Sequence, residues 1–227
     1  MSEQLQSDFD KIVKSSKFSN EEIQRKKNFL DNFIKKGFPN RKQEDWKFLD
    51  ISQIIKKNIS NISYFNDYSQ SNKIHPSIFV DGLEHNKIIF INGRIEKIDF
   101  NFEDQNKIEI IDETKKDISF DYENSLIDLN SAFTDKVFKI LIKKNYSLKK
   151  PLIIYHSTND KIKSTNINLR LDFELGENSC LKLIDYFSNN TAKNFINIFY
   201  NFNLEKDSIL KNYKIDKFIN NNLKYSF

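Results

Sequence analysis

Apolar residues in the first third of the chain recur at the spacing of a helix. A first group shares one helical face: Leu5, Phe9, Ile12 and Val13. A second helix is expected after Ser19, because Ser19 and Glu22 have the spacing of a capping box. Gly37, followed by Pro39, marks the end of that helix. The pattern therefore predicts two amphipathic helices before residue 38.

A charged loop follows, and it contains the only tryptophan of the chain, Trp46. Tryptophan buries a large area and can place its indole N–H on a partner, so we expect the loop to pack onto another part of the protein. Arg41 and Glu44 are expected to fix the shape of the loop. Asp50 then has the chemistry of an N-cap and predicts a short helix.

The next segment, residues 58–87, is polar and rich in Asn and Ser, and we interpret it as irregular and surface-exposed. Two apolar runs joined by Asn92-Gly93 then predict a hairpin over residues 88–98. A further apolar stretch begins at Ile108, and a short helix is predicted within residues 123–133.

From about residue 136 onward, apolar and polar residues alternate with the period of two that is typical of strands. The apolar positions of two such runs are Ile167, Leu169, Leu171, Phe173 and Leu175, and Ile196, Ile198, Tyr200, Phe202 and Leu204. The intervening residues of the first run are expected to face water: Asn168, Arg170, Asp172 and Glu174.

The strands also repeat. Leu175 corresponds to Leu204, and the same offset of 29 residues relates Cys180 to Ile209. Each copy consists of a strand, a four-residue turn and a second strand. A fixed period of roughly 20–50 residues is typical of a solenoid, and without a helical pattern between the strands a β-solenoid fits best. A β-sandwich stays the alternative, although it does not require a fixed period.

A weaker third copy is predicted at Val137–Tyr155. Native proteins usually cover open sheet edges, so the open edge at the end of the predicted solenoid can be explained in three ways. Residues 217–227 cap it, another subunit caps it, or the chain is a fragment of a longer protein. The pattern divides the chain into a helical region with an irregular linker, a hairpin-containing connecting region and a solenoid: residues 1–87, 88–135 and 136–227.

Composition excludes several classes of function. The 36 basic and 32 acidic residues are interspersed, and no dense basic block of the kind that binds nucleic acid is present. The single cysteine, Cys180, excludes an intramolecular disulfide and a cysteine-based metal site within the chain. The polar, acidic N-terminus is unlike a signal peptide, and no apolar run reaches transmembrane length. We therefore expect a cytoplasmic protein with no nucleic-acid or membrane partner.

The histidines and the cysteine do not form a site in the sequence. His75, His85 and His156 have no ligand spacing. His75 and His85 are expected to be exposed in a loop, whereas His156 is expected to be a rim or satisfied core histidine. Cys180 is aligned with Ile209, so we interpret it as a small core residue.

Two pairs of acidic residues have the residue types of acid–base catalysts, but neither has a partner in view. Glu44 and Asp45 lie beside basic residues and are expected to form ion pairs that shape the loop. Asp172 and Glu174 are expected to lie on a solvated strand face. Four glycines supply neither a phosphate-binding loop nor a dinucleotide fingerprint. We therefore predict no catalytic, cofactor-binding or metal-binding residue and no enzymatic activity.

Four motifs occur in the order seen in the SufB/SufD family of iron–sulfur cluster assembly proteins. The stretch from Phe38 to Phe48 resembles the family's P-x-R-x-x-E-x-W-[KR]-[YF] signature. Ile89–Arg94 resembles the family's hairpin with Asn-Gly, and Leu129–Phe133 resembles its L-N-x-A-f segment. Pro151–His156 resembles the strand that opens the family's β-helix. The resemblance spans about residues 20–216.

The resemblance implies a helical N-terminal region followed by a right-handed parallel β-helix. It further implies a SufD-like, non-catalytic scaffold subunit that works with a SufB-like subunit and a SufC-like ATPase. The iron–sulfur cluster would be assembled on the complex, and this chain alone would hold no cofactor.

The sequence departs from the family at two points. Phe48-Leu49 stands where the family often has Tyr-Thr. The family is also considerably longer, and its later β-helix rungs and C-terminal helical segment have no counterpart here. The resemblance places three features of the family in that missing part: the contact between SufB-like and SufD-like subunits, the contact with the SufC-like ATPase, and the cluster-related Cys and His positions. We therefore carry over no functional residue and expect an N-terminal portion of the fold. A SufB-like subunit and a free-standing β-solenoid that binds proteins or carbohydrates are the alternatives.

Overall fold

A computed structural model describes residues 2–59, 61–66, 79–113, 124–159, 162–188, 193–217 and 223–226 of the chain. These residues form four helices: α1 (Ser2–Ser15), α2 (Asn20–Lys36), α3 (Ile51–Asn58) and α4 (Ser125–Phe133). The strands are β1 (Asn86–Ile91), β2 (Arg94–Asp99), β3 (Ile108–Glu113), β4 (Val137–Ile142), β5 (Leu152–Ser157), β6 (Asn166–Leu175), β7 (Cys180–Ser188), β8 (Phe195–Leu204), β9 (Ile209–Lys217) and β10 (Leu223–Ser226).

Local sequence signals set the helix ends where they were predicted. The Ser19 amide donates to Glu22 Oε2 at 2.7 Å, and the Glu22 amide donates to Ser19 Oγ at 3.3 Å. This reciprocal pair confirms the capping box of α2. At its other end Gly37 has φ 70°, which a residue with a side chain rarely adopts. Asp50 caps α3 by accepting from the Gln53 amide at 2.9 Å.

The strands form two mixed five-stranded sheets. Sheet 1 has the order β2-β1-β5-β7-β9, and sheet 2 has the order β10-β8-β6-β4-β3. The hairpin β1–β2 and the pair β3–β4 are antiparallel, whereas the other neighbours are parallel. From β4 onward each successive strand lies in the other sheet, so the chain passes back and forth between two parallel ladders. The predicted hairpin is confirmed, with Asn92 and Gly93 both at positive φ.

The register of the ladders confirms the predicted repeat. Asn166 lies opposite Phe195 and Leu175 opposite Leu204, which is an offset of 29 residues at both ends of β6. Cys180 lies opposite Ile209 at the same offset in the other sheet. The weaker third copy supplies the expected strand neighbours, because β4 lies beside β6 and β5 beside β7, but at different offsets. Val137 lies opposite Arg170, an offset of 33 residues, and Leu152 lies opposite Leu183, an offset of 31. The sequence repeat is therefore a repeat of strand neighbours in space.

Alternate side chains of both sheets meet in one apolar core. Its members include Ile88 and Phe90 from β1, Ile154 from β5, and Leu171 and Phe173 from β6. Phe173 stacks on Phe202 of the next turn at 5.1 Å between ring centroids. The aromatic residues predicted to face inward therefore do so.

The other face of β6 is not in water, which corrects the predicted exposure of its polar residues. Asn168, Arg170 and Asp172 are buried, and only Glu174 of this set is half-buried. Arg170 donates to Asp172 through Nε at 2.8 Å and through a terminal nitrogen at 3.0 Å. Helix α4 packs against β6 and β8. Period-two alternation identifies the two faces of a strand, but it does not reveal that a helical layer covers the polar one.

The segment before β1 is also more buried than predicted. Ile59, Tyr64 and Asn66 are buried, and the Tyr64 amide donates to Asp8 of α1 at 2.8 Å. Burial alone would raise the pKa of Asp8, but hydrogen bonds from Lys11, Gln4 and this amide outweigh burial and lower that pKa. The hydrogen bond from Tyr64 to Asp8 thus holds this part of the segment against α1. The His75 region of the same prediction lies outside the described residues.

Candidate functional site

The Trp46 loop is a packing element, as its sequence predicted. Trp46 ends a 3-10 turn and is half-buried against the helical core. Arg41 and Glu44 are both exposed, and Glu44 lies 3.6 Å from Lys47. The ion pair expected of Glu44 is therefore present, although an exposed pair on a short turn contributes little to stability. The role of Arg41 in shaping the loop stays a prediction. The apolar side chains hold this loop in place.

Two of the four family-like motifs meet on sheet 2. Phe38, the first residue of the Phe38–Phe48 motif, is buried between Phe33 and Phe195, with ring centroids at 5.0 and 6.1 Å. Asn130 of the Leu129–Phe133 motif donates to the carbonyls of Leu169 and Asn197 at 3.1 and 2.8 Å. These motifs fasten the helical layer to β6 and β8. Their role here is architectural.

The other two motifs join neighbouring strands. The side-chain oxygen of Asn92, in the hairpin turn, accepts from the Asn159 amide at 3.0 Å. The carbonyl of Pro151, just before β5, accepts from the Asn86 amide at 2.9 Å. Both contacts align β1 with β5. These motif residues therefore fix strand register.

A polar network lies inside the apolar core between the two sheets. His156 Nε2 is 2.7 Å from Asp185 Oδ1 and 3.1 Å from the Tyr200 hydroxyl. The imidazole is stacked between Phe90 and Phe187, with centroids at 5.6 and 5.3 Å. All three polar residues are buried. The prediction that His156 is a satisfied core histidine is thereby confirmed.

Electrostatics keep the phenol of this network neutral. Burial raises the pKa of Tyr200 well above its ordinary value, and the carboxylates of Asp185 and Asp216 raise it further. Lys214 lies opposite Asp185 in register, and its ammonium is 5.3 Å from the centre of the Tyr200 ring. The β9 residues in register with this row of β7, Asn212, Lys214 and Asp216, are polar and exposed.

The remaining sequence candidates are separate from one another. His85 is buried rather than exposed, because it hydrogen-bonds the Tyr155 hydroxyl at 2.8 Å and the Leu83 carbonyl at 2.6 Å. Cys180 is half-buried beside Ile209, which is itself exposed, so the interpretation of Cys180 as a core residue is wrong. Glu174 pairs with Lys139 at 2.6 Å, while Asp172 binds Arg170, so these two acids have different partners. The structure does not join these residues into one site.

The outer face of sheet 1 provides the candidate association surface. Around β1, β5 and β7 this face is apolar, and Phe79 and Val80 pack on it. On β9 the equivalent face is exposed, and we call its apolar side chains the β9 surface: Ile209 (52% exposed), Tyr213 (56%) and Ile215 (44%). Three large apolar side chains on one face of an edge strand form the kind of patch that marks an interaction site.

Sequence reasoning missed the interior network. Asp185 occupies an inward position of β7, between Leu183 and Phe187, and a carboxylate among alternating apolar residues was a usable signal. The exposure of the β9 surface was not predicted, because it depends on which parts of the chain cover each strand. The polar residues Asn212, Lys214 and Asp216 on the other face of β9 nevertheless distinguish it from the buried strands.

Comparisons with known proteins assign no family. No protein-family model matches the chain, and a search of curated proteins finds no match. In the part of the chain that the structure describes, no group of three or more His, Cys, Asp and Glu side chains is arranged to hold a metal ion. Among the described helices, none is long and apolar enough to cross a membrane.

Proposed function

We propose that this chain is a non-catalytic scaffold subunit of a SufBCD-type complex for iron–sulfur cluster assembly. In this proposal the two ladders form the early turns of a right-handed parallel β-helix, and the helical layer closes one side of it. The cluster is assembled on the complex, and this chain supplies a rigid surface rather than ligands or a catalytic group.

The observation that carries the proposal is the repeated 29-residue register in both sheets, together with the four motifs that support it. β6 pairs with β8 and β7 with β9 at the same offset, as in successive turns of a coil. The motif residues Asn92, Asn130 and Pro151 each make a contact that holds these turns or the layer above them. A coil stabilised in this way suits a scaffold.

The β9 surface is the proposed contact with a SufB-like subunit. Its exposed Ile209, Tyr213 and Ile215 continue an outer face that is covered elsewhere in the sheet. Burial of apolar area on association contributes about 25 cal/mol per Å², so covering these side chains favours binding. A SufC-like ATPase would be recruited by other parts of the complex.

Co-expression tests this proposal. The tagged chain is produced with the SufB-like and SufC-like proteins of the same genome and purified under mild conditions. We expect both to co-purify, and we expect the double substitution Tyr213→Ser, Ile215→Ser to reduce recovery at least tenfold. Phe48→Ser, which changes a still more exposed apolar residue in the Trp46 loop, is the control.

Two outcomes contradict the proposal. Absence of both proteins from the purified sample removes the assembly function. In a second co-expression that adds the SufD-like protein of that genome, co-purification with it rather than with the SufB-like protein assigns the chain to the SufB-like alternative.

A further inference from the structure

A cavity of about 230 Å³ lies between the outer face of sheet 2 and the helical layer. Its walls come from the end of α1, the segment 64–66, the hairpin and α4, with Asn166 and Asn168 of β6 as one side. A single water needs only about 10–15 Å³, so this space exceeds that of one structural water. It is smaller than the roughly 300–1,000 Å³ of pockets for drug-sized ligands. The volume suits one small ring.

The cavity is lined by buried polar atoms that have no protein partner. Asn166 is 1% exposed, and neither its Oδ1 nor its Nδ2 has a hydrogen-bond partner within the described parts of the chain. Asn66 Oδ1 is likewise buried without a hydrogen-bond partner within the described residues, whereas Asn66 Nδ2 donates to the Asn92 carbonyl at 3.0 Å. Leaving a buried polar group unpaired is destabilising, so a ligand that satisfied these atoms would be favoured.

The position of Asn166 is set independently of any ligand. Its backbone amide donates to the Ser63 carbonyl at 2.7 Å, and its neighbours along β6 are held in the ladder with β8. The side chain of Asn166 therefore presents an NH2 group as donor and a carbonyl oxygen as acceptor from a fixed strand. Such a pair matches a group in which an N–H and a C=O are adjacent.

Charge and wall chemistry narrow the class of ligand. Arg94 and Asp135, which both line the cavity, form an ion pair with each other, so their charges cancel. Phe65 and Phe133 supply aromatic wall, which favours a flat ring. A charged ligand would compete with the ion pair, whereas a neutral ring would not.

We propose that this cavity binds a small neutral lactam ring of single-ring nucleobase size, held by the side-chain amide of Asn166. The ring's N–H donates to Asn166 Oδ1, and its adjacent carbonyl accepts from Asn166 Nδ2. The aromatic walls cover its faces. This site is distinct from the β9 surface and does not depend on the proposed scaffold function.

The test uses uracil as the probe and 1,3-dimethyluracil as its matched control, because methylation removes both ring N–H donors. Binding to the full chain is measured by saturation-transfer NMR and titration calorimetry. We expect uracil to bind with a Kd on the order of 0.1–1 mM, which is reasonable for so few atoms. The dimethyl compound is expected to bind at least tenfold more weakly.

Variants locate the site. Asn166→Leu is expected to weaken uracil binding at least tenfold while Tm stays level or rises, since two unpaired polar atoms are removed. Asn203→Leu, an exposed position on β8, is the control and should bind as the unaltered chain does. Ser16→Phe fills the cavity without altering Asn166, and Ser7→Phe on the exposed face of α1 is its control.

The proposal is overturned if no binding is detected at a uracil concentration about ten times the expected Kd. That result would mean that the cavity holds water only. Equal affinity for the two compounds overturns it as well. So does unchanged uracil binding in both Asn166→Leu and Ser16→Phe, because the ligand would then lie elsewhere.

Discussion

Trp46 contributes to the fold through one half-buried indole that packs against the helical core. Its neighbour Phe48 is 85% exposed in the same loop. The two residues therefore form a matched pair, in which large aromatic side chains of similar chemistry differ in burial. The difference between them isolates the packing contribution of the loop.

Trp46→Ala is expected to lower the free energy of unfolding by about 2 kcal/mol, roughly half the loss seen for a fully buried aromatic residue. Phe48→Ala is expected to change it by less than about 0.5 kcal/mol. Urea denaturation followed by circular dichroism measures both values without relying on the tryptophan signal. Equal effects for the two variants would show that burial of Trp46 does not stabilise the loop.

At the residue scale, sequence predicts what local chemistry decides. Ser19 with Glu22 and Asn92 with Gly93 are fixed by hydrogen bonds or dihedral preferences of a few adjacent residues, and both predictions are confirmed. His85 was predicted to be exposed because it lies in a loop. It is buried because Tyr155, which is distant in the sequence, packs and hydrogen-bonds against it. Burial of a polar side chain depends on such long-range partners, which one sequence does not display.

Helices α2 and α4 are joined by a buried lysine. Lys26 donates through Nζ to the carbonyls of Ser131, at 3.1 Å, and Thr134. These carbonyls belong to the end of α4, where positive charge is favoured by the helix dipole. Burial nevertheless lowers the pKa of Lys26 to about 8, although Asp135 and Glu22 favour its charged form.

This pKa predicts a rise in stability with pH. An unfolded lysine titrates near 10.4, so between about pH 8 and 10 the unfolded chain binds more protons than the folded chain does. The free energy of unfolding should therefore rise across that window through Lys26. The free energy of unfolding is measured by denaturation at several pH values. It should rise with pH in the control Lys27→Met, which alters an exposed lysine, and should rise less in Lys26→Met. Identical pH profiles for the two variants would contradict this account.

At the element scale, the strands and their repeat were predictable because alternation and a fixed period are properties of the sequence itself. The offset that relates Leu175 to Leu204 is the register of β6 with β8. The cover on Arg170 and Asp172 was not predictable, because it comes from α4 and the helical layer rather than from the strand that carries them. The candidate association surface was missed for the same reason.

The two edges of sheet 1 make the whole molecule asymmetric. At one edge, β2 belongs to a local hairpin with β1 and bears charged residues such as Glu96 and Lys97. At the other edge, β9 bears three exposed large apolar residues, Ile209, Tyr213 and Ile215, among exposed charged residues, whereas β2 bears one, Ile98. Charges protect an edge strand from pairing, whereas apolar exposure favours association. A scaffold that joins one partner should therefore use the β9 edge.

Hydrogen–deuterium exchange of the chain, alone and with the SufB-like protein of the same genome, tests this claim most directly. The account predicts slower exchange of the backbone amides of Ile209–Lys217 in the complex, with those of Arg94–Asp99 at the opposite edge unchanged. Unchanged exchange at β9 in a mixture that contains both proteins at saturating concentration would contradict it, as would protection confined to β2.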